Sequence, residues 1–167
     1  MRRMLLFCVA ACATAALAVP TALAVNPHFV NASGTVNANG SMTVNFKEAG
    51  LGTNQNIDYR LNADASATYV CVNKGGANPS AQNKTTVAGP VSASGTFNSG
   101  KNGSISASLT INPPGPGSFT CPPGQSMQLA SVSYSNVAIT DTTNGVTQPI
   151  SGTFTTGCLL PDVRGAC

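Results

Sequence analysis

Acid–base catalysis needs a group that takes and returns a proton near neutral pH, and histidine is the usual choice. This chain has one, His28. A Ser-His-Asp system would have to be built on it, yet it lies only four residues past a cleavage pattern described below, where a terminus is commonly mobile. Glycoside hydrolysis needs two carboxylates flanking a bond. The carboxylates beyond residue 24 are Glu48, Asp58, Asp64, Asp141 and Asp162, and none forms a close pair in sequence. Asp58 and Arg60 flank Tyr59 on one strand face and read as a solvated ion pair. Asp64, after Asn62-Ala63, falls at an expected turn. No catalytic set and no cofactor motif is recognisable, so the reading is a non-enzyme. A hydrolase assembled from distant residues, such as His28 with an aspartate, is an alternative.

Metal chemistry has little to work with. Asp141-Thr142-Thr143-Asn144-Gly145 offers oxygen ligands for calcium, but a true calcium loop is denser in acidic residues. Hydrogen bonding within a turn accounts for Asp141 and Asn144. Zinc would need Cys and His in ligand spacing, and there is neither a C-x-x-C nor a second histidine.

The cysteines carry a different chemistry. Of six, Cys8 and Cys12 lie in the N-terminal apolar segment, which leaves Cys71, Cys121, Cys158 and Cys167. An even count in an exported chain reads as two disulfides, with three possible connectivities. Tyr69-Val70-Cys71 and Phe119-Thr120-Cys121 each place an aromatic two residues before the cysteine, on the same strand face. That favours Cys71–Cys121, with Cys158–Cys167 clipping a C-terminal tail that would otherwise fray.

Binding chemistry falls mainly to the aromatics. Most of the eight beyond residue 24 sit on alternating apolar faces and read as core. Tyr59 and Tyr134 are the two that would keep a hydroxyl at a rim, where they are candidate binding residues. Asn31-Ala32-Ser33, Asn39-Gly40-Ser41, Asn83-Lys84-Thr85 and Asn102-Gly103-Ser104 match the glycosylation sequon, a match expected by chance in such a chain and relevant only to a eukaryotic secretory route.

Strands must position these residues. Met42, Val44 and Phe46 alternate with polar neighbours, as do Ile57, Tyr59 and Leu61, and Ile105, Ala107, Leu109 and Ile111. Ala67, Tyr69 and Cys71 share one face. Val132 and Tyr134 share one parity, whereas Val137 and Ile139 take the other, which predicts a bulge at Ser135-Asn136. Val146, Ile150 and Phe154 mark a last strand region. Asn39-Gly40, Asn102-Gly103 and Asn144-Gly145 are hairpin signals. Ser33-Gly34-Thr35-Val36 before the first and Ser94-Gly95-Thr96-Phe97 before the second suggest two equivalent hairpins. Residues 74–83 read as a long loop, and Pro113-Pro114-Gly115-Pro116-Gly117 is excluded from strand interior. The expectation is one antiparallel β-sandwich over residues 25–167, Ig-like or Greek-key, with about seven to nine strands.

Residues 1–24 read as a secretory signal peptide. Arg2 and Arg3 precede an uncharged apolar run, Pro20 ends it, and Ala22-Leu23-Ala24 supplies the cleavage pattern before Val25. Val9-Ala10-Ala11-Cys12 loosely resembles a lipoprotein box, the competing reading. Of 167 residues only 8% are charged, with eight Lys or Arg and five Asp or Glu. Losing Arg2 and Arg3 lowers the basic count to six, for a net charge of +1. Charged disordered tails, coiled coils and nucleic-acid binders, which need clustered Lys and Arg, are thereby excluded. The expected location is extracellular, free or associated with the cell wall, with no stable membrane insertion after cleavage.

Cys71-Val72-Asn73-Lys74-Gly75-Gly76, then Asn78-Pro79-Ser80-Ala81-Gln82-Asn83-Lys84, then Thr120-Cys121-Pro122-Pro123-Gly124-Gln125 resembles a group of small exported actinobacterial proteins of unknown function. Val132-Ser133-Tyr134-Ser135-Asn136-Val137, followed by Asp141, fits the same group. The resemblance implies bacterial export and no activity. It would place a shared site at residues 74–84 and 121–125, with Lys74, Asn78 and Lys84 as binding candidates held near Cys121 by the first disulfide. A second likeness, compositional only, is to chromoprotein apoproteins of the neocarzinostatin type, which carry an apolar small molecule in a cleft. The expected function is thus extracellular binding, to an unidentified ligand or protein. Carriage of a small apolar ligand is an alternative, and inhibition of secreted proteases a more distant one.

Overall fold

The alternation becomes strand throughout. The computed structural model describes residues 26–73 and 80–167, apart from the side chain of Gln82. Eight strands follow in order: β1 (His28–Val36), β2 (Met42–Ala49), β3 (Asn56–Asn73), β4 (Ala81–Asn98), β5 (Ser104–Ile111), β6 (Gln125–Asp141), β7 (Val146–Pro149) and β8 (Phe154–Thr155). They form an antiparallel sandwich. One sheet has the order β1-β2-β5, and the other β4-β3-β6-β7 with β8 also paired to β6. No helix among the described residues is long and apolar enough to cross a membrane.

The inward faces carry the alternating sets. Met42, Val44 and Phe46 of β2 and Ile105, Leu109 and Ile111 of β5 meet Ile57, Tyr59 and Leu61 of β3 and Val132, Tyr134, Val137 and Ile139 of β6. Phe46 sits at the centre of an aromatic group, 4.6 Å from Tyr59 and about 6 Å from Phe29 and Phe97 between ring centroids. Such edge and tilted contacts add to the area buried.

The bulge expected at Ser135-Asn136 is present. Asn62 pairs with Ala138 but Asp64 with Ser135, and Asn136 takes a φ of 52°. A second shift falls where Thr68 faces Ser131 but Tyr69 faces Leu129. Each extra residue re-phases β6 so that it keeps an apolar face inward despite two changes of parity.

The two sheets differ in length. β3 and β4 have 18 residues each, against 8 or 9 for β1, β2 and β5. At about 3.3 Å per residue, the longer strands overhang by roughly 30 Å. Two irregular segments cover the overhang. On the inner side, the proline-rich stretch after β5 is held by the Cys71–Cys121 disulfide and by the Tyr69 hydroxyl donating to the Pro114 carbonyl at 2.8 Å. On the outer side, the C-terminal tail buries Val70, Val72 and Ala130 under Leu160, Val163 and Ala166. Cys158–Cys167 closes that tail on itself, and its backbone bonds to Ala130 and Ala81.

Three expectations are corrected. Asp64 stands inside β3, not at a turn, because β3 runs unbroken from Asn56 to Asn73 and the bulge that looks like a break belongs to β6. Residues 81–83, expected as loop, begin β4, where Val72 and Cys71 supply pairing partners; residues 74–79 lie outside the described residues. The two Asn-Gly hairpins are not equivalent. Asn39-Gly40 joins β1 and β2 within one sheet, but Asn102-Gly103 joins β4 to β5 across the two sheets. A turn motif specifies a local reversal of the chain, and the partner strand is chosen by burial.

Candidate functional site

Small side chains along the solvent face of β3, β4 and β6 leave a furrow. Even-numbered residues of β3 and β4 point outward there, and Ser66, Ala88, Ser92 and Ser94 are too short to fill the space above the backbone. Three depressions result. One of about 370 Å³ lies among Asp64, Ser66, Ala88, Gly89, Ser133 and Ser135. The next, about 330 Å³, lies among Arg60, Asn62, Asp64, Pro90, Ser92 and Asn136. The third, about 280 Å³, lies among Asp58, Arg60, Ser94, Thr96 and Thr142. Asp64 belongs to the first two and Arg60 to the last two, so the three run on as one groove along β3. A separate depression of about 390 Å³, lined by Asn31, Asn45, Lys47, Ser106 and Ser108, lies on the outer face of the smaller sheet.

The groove's polar groups are held in place. Arg60 Nε donates to Asn62 Oδ1 at 3.0 Å, and its Nη2 reaches Ser92 Oγ at 3.5 Å. Asn136 Nδ2 donates to Asp64 Oδ2 at 2.7 Å, aimed there by the bulge. Thr96 Oγ1 donates to Asp58 Oδ1 at 2.5 Å. The ion pair expected between Asp58 and Arg60 is therefore replaced. Asp58 is taken by Thr96 of the neighbouring strand, and Arg60 turns the other way, to Asn62 on its own strand and Ser92 of β4. The result is a row of planar donors and acceptors, namely carboxylate, guanidinium and amide, with lone pairs and N–H groups left toward solvent.

The residues singled out from sequence fall elsewhere. Tyr59 is 1% exposed and its ring lies in the aromatic group. Tyr134 is 5% exposed, and its hydroxyl donates to Gly40 O at 2.6 Å. Neither keeps a hydroxyl at a rim, because both share the inward parity of their strands. Burial pushes the Tyr134 hydroxyl up to about 12 and raises Tyr59 further. Lys74 and Asn78 lie outside the described residues. Lys84 is exposed on β4, on the same outward row as Ala88 and Ser92. His28 is exposed at the start of β1, with Nδ1 2.8 Å from Asn26 O. Asp141 accepts hydrogen bonds from the Thr143 and Asn144 backbones and the Asn144 amide, the turn bonding expected of it.

One carboxylate lies in the core. Glu48 follows Met42, Val44 and Phe46 in phase, and it is wholly buried. Its carboxyl faces the Tyr59 hydroxyl and the Asp141 carboxylate, and neither carboxyl oxygen nor the Tyr59 hydroxyl has a hydrogen bond of good geometry. Burial, above all, raises it to about 7; Asp141 adds to the rise, and Tyr59 and His28 oppose it. With both carboxyls fully covered, no substrate reaches the pair.

No protein-family model matches the chain, and no curated protein matches its sequence.

Proposed function

We propose that this is an exported, non-enzymatic binding module whose groove along β3 receives an extended, hydroxyl-rich polymer, a glycan of the cell surface or its surroundings. The continuity of the three depressions through Arg60 and Asp64 carries this reading. A long, open groove with polar side chains spaced along an otherwise small-residue floor suits a chain better than a compact molecule. Carboxylate, amide and guanidinium groups pair with vicinal hydroxyls through two parallel hydrogen bonds. A net charge near zero suits a neutral partner. Export is supported by the signal-like residues 1–24, by two disulfides that suit an oxidising compartment, and by the resemblance to exported actinobacterial proteins. An apolar carrier would need an enclosed cleft, whereas these depressions are open, with Ser, Asp and Asn side chains set among Ala, Gly and Pro.

Affinity electrophoresis through gels containing neutral or acidic polysaccharides tests the proposal. Retardation by a neutral polysaccharide is expected for the native protein and should be lost in an Arg60→Ala, Asp64→Asn double variant. Equal mobility in every gel, or retardation unchanged in the variant, would overturn it.

A further inference from the structure

Glu48 on β2 and Asp141 at the end of β6 come from different sheets and point into the same end of the sandwich, both with no exposed surface. Asp141 is already satisfied by Thr143 and Asn144. Both Glu48 oxygens lack a hydrogen-bond partner. Two ionised carboxylates offer only acceptors to each other, so a charged Glu48 would be buried and repelled by Asp141, with the Tyr59 hydroxyl as the one neutral donor facing it. A protonated Glu48 has an O–H to give, and the facing Asp141 is an acceptor.

We propose that Glu48 and Asp141 share one proton across the two sheets, forming a clasp that holds this end of the sandwich when protonated and loosens it when the proton leaves. The groups facing Glu48 are Tyr59 from β3, Asp141 from β6 and His28 from β1. Its cross-strand neighbours Phe29 and Ile105 are apolar, so neither offers a counter-charge. Tyr59 is itself held neutral by burial. His28 is exposed to water, which screens it from the clasp. The clasp is independent of the groove, which lies on the opposite face of the larger sheet.

The sign follows from linkage. Glu48 is raised in the folded state to about 7 from an ordinary 4.5, so its contribution is fully present below 4.5. It is lost as pH rises through 7. Between these limits the folding constant falls about tenfold per pH unit, since the folded state holds one proton more than the unfolded.

Urea unfolding of the disulfide-intact protein from pH 4 to 8.5 reads this directly. The expected result is that slope in the native protein and its removal in Glu48→Gln, whose amide donates to Asp141 at every pH. His28→Asn should keep the slope. A flat native profile, or a slope unchanged in Glu48→Gln, would overturn the proposal. If Glu48→Gln does not fold, carboxyl-carbon NMR of the native protein decides. A Glu48 midpoint near 7 supports the clasp, and one below 5 refutes it.

Discussion

The hydroxyl of Tyr134 donates a 2.6 Å hydrogen bond to the carbonyl of Gly40, joining β6 of the larger sheet to the β1–β2 turn of the smaller one. It closes one end of the sandwich, and Glu48 with Asp141 lies at the other. Gly40 has a φ of 86°, and a side chain there would collide with Leu129. The turn therefore depends on glycine for both its shape and its seat on β6.

Tyr134→Phe removes the donor and leaves the Gly40 carbonyl buried without it. The expected loss is about 1–3 kcal/mol. Urea unfolding should show a lower midpoint at unchanged slope, the mark of lost stability without a change in exposed surface.

Gly34 of β1 leaves room for Met42 and Phe154, which a side chain at that position would strike. Gly34→Val should cost about 1–3 kcal/mol through overpacking. Thermal unfolding checks this, and Gly89→Ala, where an added methyl meets no atom within 4 Å, is the control. The control should lie within about 0.5 kcal/mol of the native protein.

The two disulfides should differ in effect. Cys71–Cys121 closes a separation of 50 residues and Cys158–Cys167 one of 9. Chain entropy gives about 4 kcal/mol for the first and about 3 kcal/mol for the second. Replacing the second pair with serine should raise hydrogen exchange first at Leu159 and Ala81, whose amides bond Ala130 and Arg164. A uniform rise across both sheets would show that the tail is not a separate unit.

All three tyrosines are raised above their ordinary value of 10, each by burial first, with Tyr134 pushed up to about 12. Their contribution to stability is present below 10 and is lost as pH rises through the folded values. At pH 10.5 the native protein should show little phenolate absorbance, and the denatured protein most of it. Native absorbance equal to denatured would contradict the burial.

Much of the fold was legible in the residues. Alternation marked the inward faces of β2, β3, β5 and β6. The aromatic-x-Cys pattern pointed to the disulfide partners, although only Tyr69 and Cys71 share a strand face, since Phe119 and Cys121 lie in the irregular stretch between β5 and β6; the parity switch at Ser135-Asn136 located a bulge. β4 was the strand least visible. Its inward positions include Gly89, Ala93 and Gly95, so the apolar contrast that makes alternation readable is weak. Glu48 had a readable signal, since it continues the phase of Met42, Val44 and Phe46, but a carboxylate at that position runs against the usual rule for cores.

The groove was not legible at all. Asp58, Arg60, Asn62 and Asp64 can be assigned to one face from their spacing alone. That Ser92, Ser94 and Thr96 lie beside them depends on β4 pairing with β3 on one side and β6 on the other. Period-two spacing is a local property of the backbone, so the chain's own residues determine which side of a strand each side chain takes. Which strands become neighbours is decided by how the whole set of apolar faces can be buried at once. Only the packed structure therefore sets Asp64 against Asn136, and Glu48 against Asp141.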